Sequence, residues 1–151
     1  MARIDAFTLL ERDHAEVKKL LTKAIQTADE SQQVDFDSYE KAKAAITLHT
    51  KIEEKYLYPQ AKEEEDAEDL VDEAYEEHAE VKALFNKKLP KNIEADDFCN
   101  HCREVLEMIE HHVMEEETEM FPVLREQWSK ETCLALGEKI QQMHDEAKAV
   151  H

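Results

Sequence analysis

His49-Thr50-Lys51-Ile52-Glu53-Glu54 and His112-Val113-Met114-Glu115-Glu116-Glu117 are two copies of one pattern, each closed by an aromatic-Pro pair, Tyr58-Pro59 and Phe121-Pro122. In both copies a His is followed four residues later by a Glu. On a helix, residues at that spacing lie one turn apart on the same face. Each copy can therefore aim one imidazole and one carboxylate at a single point. Two such helices facing each other would bring two His and two Glu to one buried site.

The duplication extends further. His14-Ala15-Glu16-Val17-Lys18-Lys19-Leu20 matches His78-Ala79-Glu80-Val81-Lys82-Ala83-Leu84 at an offset of 64 residues, and His49 and Glu53 match His112 and Glu116 at an offset of 63. Two helix hairpins of one design predict an all-α fold, an up-down-up-down four-helix bundle. Apolar residues at three- and four-residue steps define the helices. The first, about Asp5 to Ala28, carries Phe7, Leu10, Val17, Leu21 and Ala24, with His14 in the stripe. Asp29 to Asp37 reads as a loop and Ser38 as the next N-cap. The second helix carries Tyr39, Ala42, Ile46 and Tyr56, with His49 and Glu53 between, and Pro59 should kink or end it. The acidic run Glu63 to Asp66 starts the third, which continues to about Lys88 through Val71, Ala74, Val81 and Phe85, with His78 in the gap.

The fourth helix, about Glu94 to Trp128, carries Phe98, Cys102, Val105 and Ile109, then His112, Glu116, Met120 and Val123. Ser129 opens a shorter helix to His151, so one domain covers residues 1–151, with the bundle over about 5–128 and the C-terminal helix over about 129–151. A single Gly, three Pro and 37% charged residues suit long amphipathic helices and disfavour a β-rich fold.

His14, His49, Glu53, His78, His112 and Glu116 thus occupy otherwise apolar stripes on all four bundle helices. Burying one such group without a partner is costly. A matched set of six calls for a compensating positive charge, and a bound metal supplies it economically. Imidazole with carboxylate suits Fe, Mn, Zn or Cu. Two carboxylates able to bridge suit a pair of ions, for which bundle cores are established places. His112 lies seven residues after Val105 and three after Ile109, on the core face; His111 is turned outward or to the periphery of the site. Glu54 and Glu117 stand one step off the stripe, either as acceptors for ligand histidines or as solvated acids. His144 reads as a helix-packing or solvent-side residue, and His101 and His151 carry no pattern.

The formal net charge of −18 argues against nucleic acid, because phosphate binding needs a basic footprint. No apolar run approaches the ~20 residues of a membrane span, and the N-terminus lacks a signal-peptide core. Three Cys form no disulfide framework, so a reducing, cytoplasmic setting is expected. Cys99 and Cys102 lack the second pair of a zinc ribbon, and Cys102 reads as a small core hydrophobe.

The order His, His-x-x-x-Glu, His, His-x-x-x-Glu, with Glu-Glu and an aromatic-Pro pair after each paired motif, resembles the hemerythrin-like (HHE cation-binding) domain over residues 7 to about 125. The resemblance implies two irons per chain in an oxo- or hydroxo-bridged non-haem site. His14, His49, His78 and His112 would be terminal ligands and Glu53 and Glu116 would bridge; zinc or manganese is compatible with the same donors. Oxygen-carrying hemerythrins place two His four residues apart on the third helix, whereas here Ala74 and Lys82 flank His78 at that spacing. The pattern is closer to hemerythrin-like proteins of stress response, linked to iron-centre repair, nitric oxide or peroxide handling, and iron sensing. The expected ligand is a small diatomic molecule or peroxide. Catalase-like or nitric-oxide-directed chemistry would make the protein an enzyme; an oxygen-binding or iron-binding carrier, store or sensor would involve no turnover; a third reading is a metal that only fixes the fold. A ferritin-like carboxylate site wants Glu-x-x-His on two helices, and only Glu11 to His14 has that spacing.

Overall fold

The computed structural model describes residues 2–150, the Val150 side chain excepted. It is all-α, with no strand among the described residues. Helix α1 spans Ala6–Ser31 and α2 spans Phe36–Ile52. A π-helical turn, Glu53–Leu57, joins α2 to the short α3, Tyr58–Ala61. Helix α4 spans Glu68–Asn86 and α5 spans Ala95–Glu115. A second π-helical turn, Glu116–Met120, joins α5 to α6, Phe121–Gln127, and α7 is Lys130–Val150. Helix α1 packs on α2, α5 and α7, and α4 packs on α5 and α2. The four long bundle helices are those expected from the repeat and the apolar spacing, and the C-terminal helix is the one expected after Ser129. Among the described residues, no helix is long and apolar enough to cross a membrane.

Local signals set the ends. The Asp5 carboxylate accepts from the Thr8 amide at 2.9 Å and caps α1, which ends where Gln32 takes a left-handed conformation, φ 53°. Helix α1 therefore runs three residues past the expected Ala28. The N-cap of α2 is Asp35 rather than Ser38: the Asp35 carboxylate accepts the Ser38 amide at 3.0 Å and its hydroxyl at 2.7 Å, so Ser38 is the capped residue. Such a cap contributes about 1 kcal/mol. The Ser129 hydroxyl accepts the Thr132 amide at 3.1 Å and opens α7 as expected.

The two prolines do not end their helices. Pro59 and Pro122 each follow a π-helical turn in which the amide of the preceding residue reaches back five positions, Tyr58 to Glu53 and Phe121 to Glu116. The wider turn makes room for a residue that cannot donate and whose ring crowds the carbonyl four residues back. It also shifts the phase. The buried stripe after Glu53 passes through Leu57 and Tyr58, both fully buried, and not through the expected Tyr56, which is only partly buried.

The core is divided. One apolar cluster holds Phe7, Leu10, Ile52, Tyr58, Val71 and Phe121; the other holds Val17, Leu21, Ile46, Val81, Val105 and Ile109. His14 stands between Leu10 and Val17, and His78 between Ala74 and Val81, so the histidines form a polar layer between two dry ones. Gly137 fixes α7 against the chain's start, because a Cβ there would lie 2.0 Å from the Ile4 carbonyl oxygen.

Candidate metal centre

The six stripe residues converge. His14, His49, Glu53 and Glu116 form one group, and Glu53, His78, His112 and Glu116 a second, each with ligand atoms within 4.8 Å of one another. Both carboxylates belong to both groups. Glu53 Oε1 lies 3.0 Å from His49 Nε2, 3.1 Å from His78 Nε2 and 3.9 Å from His112 Nε2. Glu116 Oε1 lies 3.1 Å from His14 Nε2, and its Oε2 3.4 Å from His112 Nε2. All six side chains are buried. Each Glu therefore faces a histidine pair on either side, the arrangement two ions sharing carboxylates require.

The far nitrogen of every histidine is held by an acid. Nδ1 of His14 donates to Glu117 at 2.7 Å, that of His49 to Asp13 at 2.9 Å, that of His78 to Glu54 at 2.8 Å, and that of His112 to Glu77 at 2.8 Å. A carboxylate can only accept, so Nδ1 carries the hydrogen and Nε2 is left for a proton or a metal ion. The pattern has pseudo-two-fold symmetry. Asp13 and Glu77, each preceding a site histidine, hold the other histidine of their own hairpin; Glu54 and Glu117, each following a site glutamate, hold a histidine of the opposite hairpin.

The donor set fits a cation. His14 Nε2, His49 Nε2, Glu53 Oε2 and Glu116 Oε1 are buried without a hydrogen-bond partner among the described residues. Orphaned buried polar atoms of this kind cost on the order of 1–3 kcal/mol each, and a positive charge at their meeting point relieves all of them. In the metal-free chain protons do part of that work. Burial, the largest influence on His49, would lower its pKa, but Glu53 and Asp13 together raise it to about 10. Burial likewise opposes, and Glu116, Glu53 and Glu77 outweigh it, in pushing His112 up to about 12. Glu53 is held well below the usual carboxylate range because the surrounding imidazoles overcome its burial.

Residues outside the six complete the picture. Tyr58 is fully buried, and its hydroxyl lies 3.0 Å from His78 Nε2, 3.2 Å from Glu53 Oε1 and in hydrogen-bond contact with Glu116 Oε2. His144 is not among the six; it donates to Asp13 at 3.0 Å and so supports the acid that holds His49. The His111 side chain is 59% exposed and pairs with Glu115 at 2.8 Å. His101 shares a 2.9 Å hydrogen bond with Tyr39, away from the centre. Cys99, Cys102 and Cys133 are free and buried, and burial pushes the Cys102 thiol up to about 12, which makes it inert. A narrow crevice lined by Leu70, Ala74, Glu77, Glu115 and Met120 reaches His112 and Glu116.

Sequence reasoning missed Asp13, Glu77 and Tyr58. The first two carry a signal, since an acid precedes the histidine at the same place in each repeat. Tyr58 carries none, because its inward turn depends on the π-helical turn.

The family described as hemerythrin HHE cation binding domain matches residues 5–124. A protein named DNA nickase from Nostoc sp. (strain PCC 7120) is 28% identical over 145 residues, which cover 89% of this chain and 39% of that protein. The chain thus spans well under half the length of that relative. No solved structure matches.

Proposed function

On the premise that the chain belongs to the hemerythrin HHE cation-binding domain family, we propose that it binds two iron ions and reacts with or senses O2, peroxide or nitric oxide. His14 and His49 would hold one ion and His78 and His112 the other, with Glu53 and Glu116 offering carboxylate oxygens to both. The observation that carries this reading is the convergence of buried, unpartnered nitrogen and oxygen atoms on one point between two apolar clusters. An iron pair there supplies two-electron redox chemistry and a place for a small ligand. The protein's part is to orient the imidazoles through their Nδ1 acids and to exclude water with the flanking apolar clusters.

The buried position of the six donors and the net charge of −18 support a diatomic or peroxide ligand over a polymer. A phosphodiester backbone would need a basic, exposed approach.

A second reading, a carrier, store or sensor without turnover, rests on a specific feature. The acids nearest the site, Asp13, Glu54, Glu77 and Glu117, are each committed to a histidine, which leaves no free general acid or base among them. Titrating the iron-loaded protein with peroxide, nitric oxide and O2 separates the two. Sustained consumption of peroxide or nitric oxide establishes an enzyme; a stoichiometric, reversible spectral change establishes a carrier or sensor. An iron-loaded protein inert to all three reagents contradicts both.

A further inference from the structure

The two halves of the centre are not equivalent. The duplication pairs Tyr58-Pro59 with Phe121-Pro122, and both aromatic rings are fully buried. Phe121 presents only carbon: its ring lies parallel to that of His14, with centroids 6.2 Å apart. Tyr58 brings an oxygen into the His78–His112 half. That oxygen has Glu53 Oε1 at 3.2 Å, His78 Nε2 at 3.0 Å and Glu116 Oε2 in direct contact. His78 Nε2 is in turn 3.2 Å from His112 Nε2.

A hydroxyl has one proton to give. Donated to Glu116, it leaves the Tyr58 oxygen lone pairs facing Glu53 and His78. Five donor atoms then crowd one point: the Tyr58 oxygen, Nε2 of His78 and His112, and one oxygen each of Glu53 and Glu116. Without a metal ion such a set depends on shared protons to offset its crowded lone pairs, and a cation in their place is complementary to all five atoms.

We propose that the phenolic oxygen of Tyr58 is a protein ligand to the ion held by His78 and His112. The inference rests on the two-ion reading above and adds a ligand that the His/Glu pattern does not contain. On loading, the ion replaces the phenolic proton, which passes to solvent, and the oxygen binds as phenolate. A bound cation at that point offsets the charge of the two carboxylates beside the phenol oxygen and favours the phenolate. The ions then differ in donor set, one with a hard anionic oxygen from the protein and one beside Phe121 without it.

The experiment uses the whole chain, stripped with chelator and reloaded with iron in air, alongside a Tyr58→Phe variant, which copies the residue its own repeat carries at Phe121. Iron per chain is counted by mass spectrometry, folding is followed by thermal unfolding, and resonance Raman spectra are taken in the visible band. The expected result is tyrosinate ring modes in the parent, their complete loss in Tyr58→Phe with the fold retained, and weaker retention of one of the two irons. Two irons per chain without tyrosinate modes, or modes that survive in Tyr58→Phe, overturn the ligation and leave the two-ion reading standing. A chain that takes up no iron fails at the counting step and overturns both. Should Tyr58→Phe fail to fold, the parent spectrum decides alone, because no other tyrosine reaches the six donors: Tyr39 bonds His101, and Tyr56 and Tyr75 share no hydrogen bond with them.

Discussion

Glu77 accepts the Nδ1 hydrogen of His112 at 2.8 Å, across from α4 to α5, and Asp13 does the same for His49 at 2.9 Å, across from α1 to α2. In each hairpin the residue just before one site histidine orients the other. The duplicated chain thus repeats the support of the site together with its donors.

Asp13→Asn and Glu77→Gln keep side-chain bulk and remove the charge. Each is expected to lower metal affinity roughly 10- to 100-fold, the usual effect of losing an acid behind a metal-bound imidazole. Competition with a chromogenic chelator measures it. Affinity equal to the parent's in both variants would show that these acids only pack.

His112→Ala should strip one ion and lower stability, while His111→Ala should do neither, since the His111 side chain is 59% exposed. Glu53→Ala should reduce metal content more than Glu54→Ala, because Glu53 faces both histidine pairs and Glu54 only the back of His78. Metal analysis and thermal unfolding of the four variants decide the matter. Equal metal loss in the two His variants would contradict the register of α5.

The metal-free protein should show a pH dependence of definite sign. His49 and His112 have folded values raised to about 10 and about 12, against about 6.5 unfolded. Their contribution is whole below about pH 6.5 and is lost as pH rises through the folded values. Glu53 and Glu116 are lowered, so theirs is whole above roughly pH 4.3 and lost as pH falls through the lower folded values. Chelator-treated protein should therefore melt at a lower temperature near about pH 9 than near about pH 6. Metal affinity should run the other way and tighten with pH, because protons and metal compete for Nε2. Melting curves of chelated protein that rise steadily to pH 9 would refute the assignment.

Gly137→Ala should destabilise the chain by about 1–3 kcal/mol, since the added methyl meets the Ile4 carbonyl, a backbone atom that cannot rotate away. Denaturant unfolding checks this. A variant as stable as the parent would mean that α7 is free to shift.

Much of this was legible in the chain because apolar spacing and the repeat report the same helices. The stripe histidines and the two glutamates lie on a regular α-helical phase, and the structure brings them together. What escaped did so for three reasons. Carrying the α-helical period past Glu53 puts Tyr56 on the stripe, whereas the π-helical turn ahead of Pro59 turns Tyr58 inward instead. Asp13 and Glu77 stand one step off the stripe, where an acid on a strongly acidic surface looks solvated until a neighbouring helix places an imidazole against it. The Asp35 cap was hidden by Ser38, itself a good capping residue, three positions later.

The most direct test of the central claim is the metal content of protein purified without chelator, counted by mass spectrometry together with its absorption spectrum in air. The expected result is about two irons per chain, with the near-ultraviolet absorption of a coupled ferric pair. One metal per chain, or none, would contradict a site built from two histidine pairs sharing Glu53 and Glu116. Two colourless zinc ions would keep the site and remove the redox function proposed for it.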